Sequence, residues 1–226
     1  MKNFTLMILC AGFGSRMLNL TRSTPKPLLK YKNKILLKNT IDFFITIGCD
    51  EILINTHYLH YKIKKYVDKN FKKYPIQIIY EKKILGTGGG VKNIFNYTNR
   101  KKICVVNSDI FWTKKNKSHI KYFLGNYQDI SHCKMLLSKD INFLGLKKEN
   151  GDFNLKRNVV TNWNNKNEKL YYSGLQIVSK NIFNKRKKIF PMNEIWTKLI
   201  KNNQIKGYVI PSKIRHIGDK KSILEN

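Results

Sequence analysis

Alanine is almost absent from this chain of 226 residues, occurring once, at Ala11. Arginine is scarce too, with 6 residues against 38 lysines. The four cysteines, Cys10, Cys49, Cys104 and Cys133, lie far apart, with no C-x-x-C pair and no Cys/His spacing that suits zinc. This excludes a disulfide framework or a zinc module and leaves reduced, buried thiols. Proline and glycine, at 5 and 13 residues, are too few for a collagen-like or low-complexity chain. No apolar run approaches the roughly 20 residues needed to cross a bilayer. The first apolar stretch, residues 4–9, runs straight into a glycine loop and reads as a first strand rather than a signal peptide. A cytoplasmic protein with no membrane partner is expected. A hydrophobic share of 42% with 26% charged residues suits one sizeable core, hence a single domain over residues 1–226.

Acidic residues are also few, 14 against 44 Lys+Arg, for a formal charge of +30. Such a charge invites a nucleic-acid partner. The composition argues otherwise. Asn occurs 26 times and Ile 28 times beside the single Ala, and the lysines are spread along the whole chain, as an AT-rich genome would write them. A reader of bases or phosphates would favour the planar fork of Arg. No specific nucleic-acid partner is therefore expected, although the positive field would attract anionic substrates. The rival class, a basic nucleic-acid-binding protein, requires a contiguous basic face and steep salt dependence.

The first half alternates. Strands are predicted at 4–9, 51–55, 76–80 and 103–107, with helices at 36–47, 60–71 and 91–97, the last opened by a glycine run. This is a β-α-β-α-β-α-β order, which implies parallel strands joined by right-handed crossovers. The second half reads as shorter strands at 134–137, 142–146, 170–178, 205–210 and 213–217. Asn150-Gly151 gives a hairpin signal, and a helix starts at Pro191. The expected fold class is α/β: a Rossmann-like, mostly parallel mixed sheet with helices on both faces and a small β appendage.

Three motifs carry chemistry. Leu9-Cys10-Ala11-Gly12-Phe13-Gly14-Ser15-Arg16 follows the first strand. Glycines there let backbone amides approach phosphate oxygens. A dinucleotide fingerprint would need glycine where Met17 stands, and a Walker loop would need Gly-Lys-Ser/Thr. Instead Lys26 lies between Pro25 and Pro27 on a stiff segment, and with Arg16 it suits a polyphosphate. A tight turn with two solvated cations would leave the same residues. The second motif is Leu85-Gly86-Thr87-Gly88-Gly89-Gly90. Its glycines suit a flat ring or phosphate laid against backbone, or a merely flexible loop. Glu81 beside it would accept from a base, hold the loop, or sit solvated. The third is Asn107-Ser108-Asp109 at the end of a buried strand, where ligands bind in open parallel sheets. The carboxylate would hold Mg²⁺ against phosphates, or cap the next turn.

Together these residues resemble the sugar-phosphate nucleotidyltransferase family, whose pattern is a strand, A-G-x-G-x-R, P-K-P, L-G-T-x-G-x and a strand-end G-D or S-D. Within it, the chain resembles the short N-acetylmuramate-1-phosphate uridylyltransferase-like branch, through Thr87-Gly88-Gly89-Gly90, Trp112, Gly151-Asp152-Phe153 and Tyr172-Ser173-Gly174. The resemblance implies an NTP, UTP in the first instance, reacting with a sugar 1-phosphate to give an NDP-sugar and pyrophosphate. It implies Mg²⁺ as cofactor and a monomer or small homo-oligomer. On this footing Arg16 meets the departing pyrophosphate and Lys26 bridges the α-phosphate and the sugar phosphate. Ala11, Gly12, Gly14 and Ser15 cradle the triphosphate, and Gly88 and Gly89 face the base or ribose. Asp109 holds the metal, and Asn107, Asp152, Ser173 and Gly174 contact the sugar. A GDP-sugar-forming, mannose-1-phosphate guanylyltransferase-like enzyme is the same-chemistry alternative, and a nucleotide sensor without transfer is another.

The chain departs from the family in three places. Ser108 stands where glycine is common, and no Glu-Lys-Pro precedes the late sugar-binding strand. His216, in Arg215-His216-Ile217-Gly218, stands where relatives place a second metal-binding Asp. Imidazole is a poor ligand for hard Mg²⁺, so His216 is expected to touch a metal-bound water or phosphate, or to favour a softer ion. The C-terminal β-helix of larger relatives is not expected, leaving a single activity.

Overall fold

The computed structural model describes residues 3–224 apart from 126, 128, 129, 147, 166 and 185. Nine strands form the main sheet: β1 Phe4–Cys10, β2 Cys49–Thr56, β3 Ile76–Tyr80, β4 Lys102–Asn107, β5 Cys133–Lys139, β6 Phe153–Lys156, β7 Val159–Asn162, β8 Leu170–Ser179 and β9 Ile205–Ile210. Their spatial order is β6-β7-β9-β5-β8-β4-β1-β2-β3. The strands β3, β2, β1 and β4 pair in parallel. The strand β8 runs antiparallel to both β4 and β5, while β9 is parallel to β5. All strands but β7 and β8 thus share one direction, which matches the expected mixed, mostly parallel sheet.

Helices cover both faces. The apolar run of β1 alternates by pleat. Phe4, Leu6, Ile8 and Cys10 pack in one layer with Leu37, Ile41 and Phe44 of α1 (Leu36–Ile45), Ile63 and Val67 of α2 (His60–Asn70), and Ile120 and Phe123 of α4 (Lys117–Leu124). Met7 lies in the other layer, with Val91 and Ile94 of α3 (Gly86–Ile94) and with Ile195 and Leu199 of α5 (Asn193–Lys201). Burying each such side chain contributes about 1.5–3 kcal/mol, so the strand ends, and the loops leaving them, are held in register. Among the described residues no helix is long and apolar enough to cross a membrane.

Three expectations are corrected. The helix expected at 91–97 starts at Gly86, so the glycine run forms its first turns rather than a loop before it. The hairpin turn joining β6 to β7 is Arg157-Asn158, both with positive φ (47° and 66°), not Asn150-Gly151. Asn158 supplies the left-handed conformation that such a two-residue turn needs. The strand expected at 142–146 shrinks to Phe143–Leu144. It pairs with Ile214–His216, which also pairs with Ile110–Phe111. This small three-stranded sheet is the appendage, and it brings the late His216 beside the early Asp109.

Candidate active site

The carboxyl ends of β1, β2, β3 and β4 open on one edge of the sheet, and a cavity of about 360 Å³ lies there. Its wall includes Ala11, Gly12, Gly14, Ser15 and Arg16 after β1, Asn55 in β2, Glu81 after β3, and Asn107, Ser108 and Asp109 after β4. Lys26, Pro27, Gly86, Thr87 and Gly218 complete it.

The glycine loop is shaped by local chemistry. Gly14 has φ +69°, and a Cβ there would meet Thr21 and Lys26 at 3.0 and 3.1 Å. The Thr21 hydroxyl donates to the Gly14 carbonyl at 3.1 Å, and Met17 N donates to the same carbonyl at 2.8 Å. The amides of Gly12 to Ser15 have no acceptor among the described residues, so they are available to phosphate oxygens. Arg16 is exposed at the rim. Burial pushes the Cys10 thiol up to about 12, so no thiolate stands at the cavity floor.

Lys26 and Asp109 meet across the cavity, Nζ to Oδ2 at 2.6 Å, with side chains 11% and 15% exposed. His216 Nε2 lies 3.4 Å from the same oxygen. Ile217 N donates to the Asp109 carbonyl at 2.8 Å, so the last strand clamps this residue through backbone as well. Burial alone would raise the Asp109 carboxyl, but His216 and the Lys26 ammonium outweigh it and hold it well below the usual carboxylate range. Asp109 is therefore ionised at neutral pH.

Glu81 forms a buried brace with Asn55, a residue that the sequence motifs did not single out. The Asn55 amide nitrogen donates to Glu81 Oε1 at 2.8 Å, and Asn55 Oδ1 accepts from Cys10 N at 3.0 Å. Glu81 Oε2 accepts from Leu85 N at 3.1 Å. Glu81 is 3% exposed, so it holds the loop rather than sitting solvated. Asn55 shares with Asn107 a position at the carboxyl end of a parallel strand, and that was the available signal.

Several expected contacts fall elsewhere. The amides of Gly88 and Gly89 both donate to the Phe190 carbonyl at 3.0 Å. A Cβ on Gly88 would sit 2.3 Å from the Phe190 ring, and one on Gly89 2.3 Å from the Lys188 carbonyl. These glycines admit a neighbouring segment of the chain; Gly86 and Thr87 line the cavity in their place. Gly89→Ala is accordingly expected to cost about 1–3 kcal/mol through overpacking against rigid backbone. That exceeds the helix-propensity gain of about 1 kcal/mol at the upper end of the range. A melting temperature lowered by up to several degrees checks this, and a raised one contradicts it.

Asp152, Ser173 and Gly174, expected at the sugar, are not among the cavity-lining residues. Asp152 pairs with Lys148 at 2.6 Å and accepts from Tyr172 N at 3.1 Å, tying the hairpin to β8. The buried Ser173 hydroxyl donates to the Leu136 carbonyl at 2.8 Å. Gly174, at φ +83°, sits where the β8 register shifts, and a Cβ there would meet Ile110 at 2.7 Å. His216 also lies behind Asp109 rather than on the cavity wall.

The site offers one hard oxygen donor group for a divalent ion. Asp109 Oδ1 is buried without a hydrogen-bond partner. Among the described residues no group of three or more His, Cys, Asp or Glu gathers to hold a metal. This fits an ion that takes one carboxylate from the protein and its other ligands from phosphate and water, as Mg²⁺ commonly does.

An α/β sheet with an amide-lined glycine loop, two cations and a strand-end carboxylate at its parallel carboxyl edge defines a nucleotide-handling enzyme. Residues 5–140 match the family model described as Nucleotidyl transferase. The chain belongs to that nucleotidyl transferase family. It is 26% identical over 187 residues to a D-glycero-alpha-D-manno-heptose 1-phosphate guanylyltransferase of Campylobacter jejuni, covering 79% of this chain and 77% of the relative. It is 24% identical over 222 residues to an N-acetylmuramate alpha-1-phosphate uridylyltransferase of Caulobacter vibrioides, covering 94% and 91%. In fold it is similar to HddC from Yersinia pseudotuberculosis complexed with GMP-PN, with TM-score 0.76 at 21% identity, covering 98% and 97%.

Proposed function

We propose that this protein transfers a nucleoside monophosphate from an NTP to a sugar 1-phosphate, releasing pyrophosphate. The observation that carries the reading is the single cavity in which the glycine loop, Arg16, Lys26 and Asp109 converge. The named relatives act on sugar 1-phosphates, one as a uridylyltransferase and one as a guanylyltransferase. UTP is the first expected donor and GTP the alternative.

In the reaction, an oxygen of the sugar phosphate forms a bond to the α-phosphorus. The bond from that phosphorus to the oxygen bridging to the β-phosphate breaks, and its electron pair leaves with pyrophosphate. The attacking oxygen is already largely ionised at neutral pH, so no general base is required. Catalysis reduces to positioning and charge neutralisation. The amides of Gly12, Gly14 and Ser15 cradle the triphosphate, Arg16 meets the leaving pyrophosphate, and Lys26 stands between donor and acceptor phosphates. Asp109 would hold Mg²⁺, which supplies charge neutralisation when bound. Asn107 faces the cavity beside Asp109 and is the remaining candidate for sugar contact.

The test is pyrophosphate release from each NTP with Mg²⁺ and a panel of sugar 1-phosphates. Release with UTP or GTP and one sugar supports the proposal. Nucleotide binding without release from any pair favours a sensor. Nanomolar, sequence-specific DNA binding at physiological salt would instead favour the nucleic-acid class.

A further inference from the structure

Asp109 presents no open oxygen to a ligand in this structure. Its Oδ2 accepts from Lys26 Nζ at 2.6 Å and lies 3.4 Å from His216 Nε2, while Oδ1 is buried. Lys26 is equally committed, its side chain only 11% exposed. The ammonium suited to phosphate and the carboxylate suited to a cation are thus spent on each other. The Lys26 backbone is fixed: Leu28 N donates to the Pro25 carbonyl at 2.8 Å and Leu29 N to the Lys26 carbonyl at 3.1 Å. Separation of the pair is therefore a rotation of the flexible Lys26 stem. Asp109 stays behind, held by His216 and by the Ile217 amide.

We propose that the Lys26–Asp109 contact is a resting latch that a triphosphate and a divalent cation open together, each binding weakly alone and tightly with the other. The inference rests on the nucleotide reading above. Its physical basis is exchange of partners. Lys26 can leave Asp109 without leaving a buried charge unpaired only if phosphate takes its ammonium. Asp109 can release Lys26 only if another cation takes its place. Each ligand then removes the obstacle to the other, which is positive coupling, on the order of 5–150-fold in affinity for known cases. His216 is a positioning residue in this scheme. It keeps Oδ2 in place while the ammonium departs.

Two binding measurements test the latch without any turnover. Mn²⁺ is the cation probe, followed by the loss of the free-ion electron paramagnetic resonance signal. The parent protein alone should bind it weakly, and Lys26→Met should bind it at least tenfold more tightly. Adding Asp109→Asn to Lys26→Met should abolish that gain. Inorganic triphosphate without metal is the second probe, and Asp109→Asn should bind it at least fivefold more tightly than the parent, because Lys26 is then free. If Lys26→Met does not fold, Lys26→Gln with Mn²⁺-dependent melting temperature replaces it. Equal Mn²⁺ affinity in parent and Lys26 variant, or no gain in triphosphate affinity in Asp109→Asn, overturns the proposal. A protein inactive on every NTP and sugar phosphate would leave these measurements intact, so failure of the latch and failure of the transfer reading are told apart.

Discussion

Asp109→Asn is expected to lower kcat/KM by about a thousandfold or more, roughly 4 kcal/mol of transition-state stabilisation, the scale of losing a metal's or donor's electrostatic contribution. The substitution is nearly isosteric, so it removes charge while sparing shape. Among the described residues Asp109 is the only carboxylate on the cavity wall with an oxygen free of hydrogen-bond partners, because both Glu81 oxygens are taken by Asn55 and Leu85. Among the described residues no group of three or more His, Cys, Asp or Glu gathers to hold a metal in its stead. The fold must be checked separately, since the change leaves Lys26 without its partner. Far-UV circular dichroism and a melting curve serve for this. A well-folded Asp109→Asn that retains more than a tenth of parental turnover would exclude this carboxylate from the chemistry.

Arg16→Ala and Lys26→Ala should each lower kcat on the order of a hundredfold, the usual scale for a preorganised electrostatic donor. The two should differ in stability. Arg16 is exposed at the rim, where its charge acts on Asp219 through solvent-screened attraction, so its loss should leave the melting temperature within a degree or two. Removing Lys26 strands the buried Asp109 carboxylate, and a visible drop is expected. Lys26→Arg should restore the charge but only part of the rate, because a planar fork cannot occupy the place of a compact ammonium 2.6 Å from a single oxygen. Steady-state kinetics with saturating NTP separates these outcomes. Parental kcat in Arg16→Ala or Lys26→Ala would remove that residue from the mechanism.

Much of the architecture was legible in the order of residues. The strands Phe4–Cys10 and Lys102–Asn107 are apolar runs bounded by glycine and polar turns, and the helix Leu36–Ile45 shows its 3.6 period in Leu37, Ile41 and Phe44. These are local signals, and local backbone and side-chain physics suffices to read them. The loop Gly12–Arg16, Lys26 between its prolines and Asp109 at a strand end were likewise visible, because parallel strands send their carboxyl ends to one edge.

Other features depend on partners distant in the chain, and no local pattern encodes those. Gly88 and Gly89 looked like a surface for a base, but the segment at Phe190, about a hundred residues later, fills that space. Ser173 and Gly174 looked like sugar contacts, but a bulge in β8 aims the first at Leu136 and packs the second on Ile110. His216 was expected to point toward a metal, and only the pairing of Ile214–His216 with Ile110–Phe111 shows it directed at the Asp109 carboxylate. The sequence by itself determined the parallel strands of the first half, the helices between them and the motif residues at the cavity, since periodicity and turn chemistry act over a few residues. The tertiary structure alone decided which glycines meet protein rather than cavity, and which charges already hold each other, since packing and charge pairing act through space between segments the chain keeps far apart.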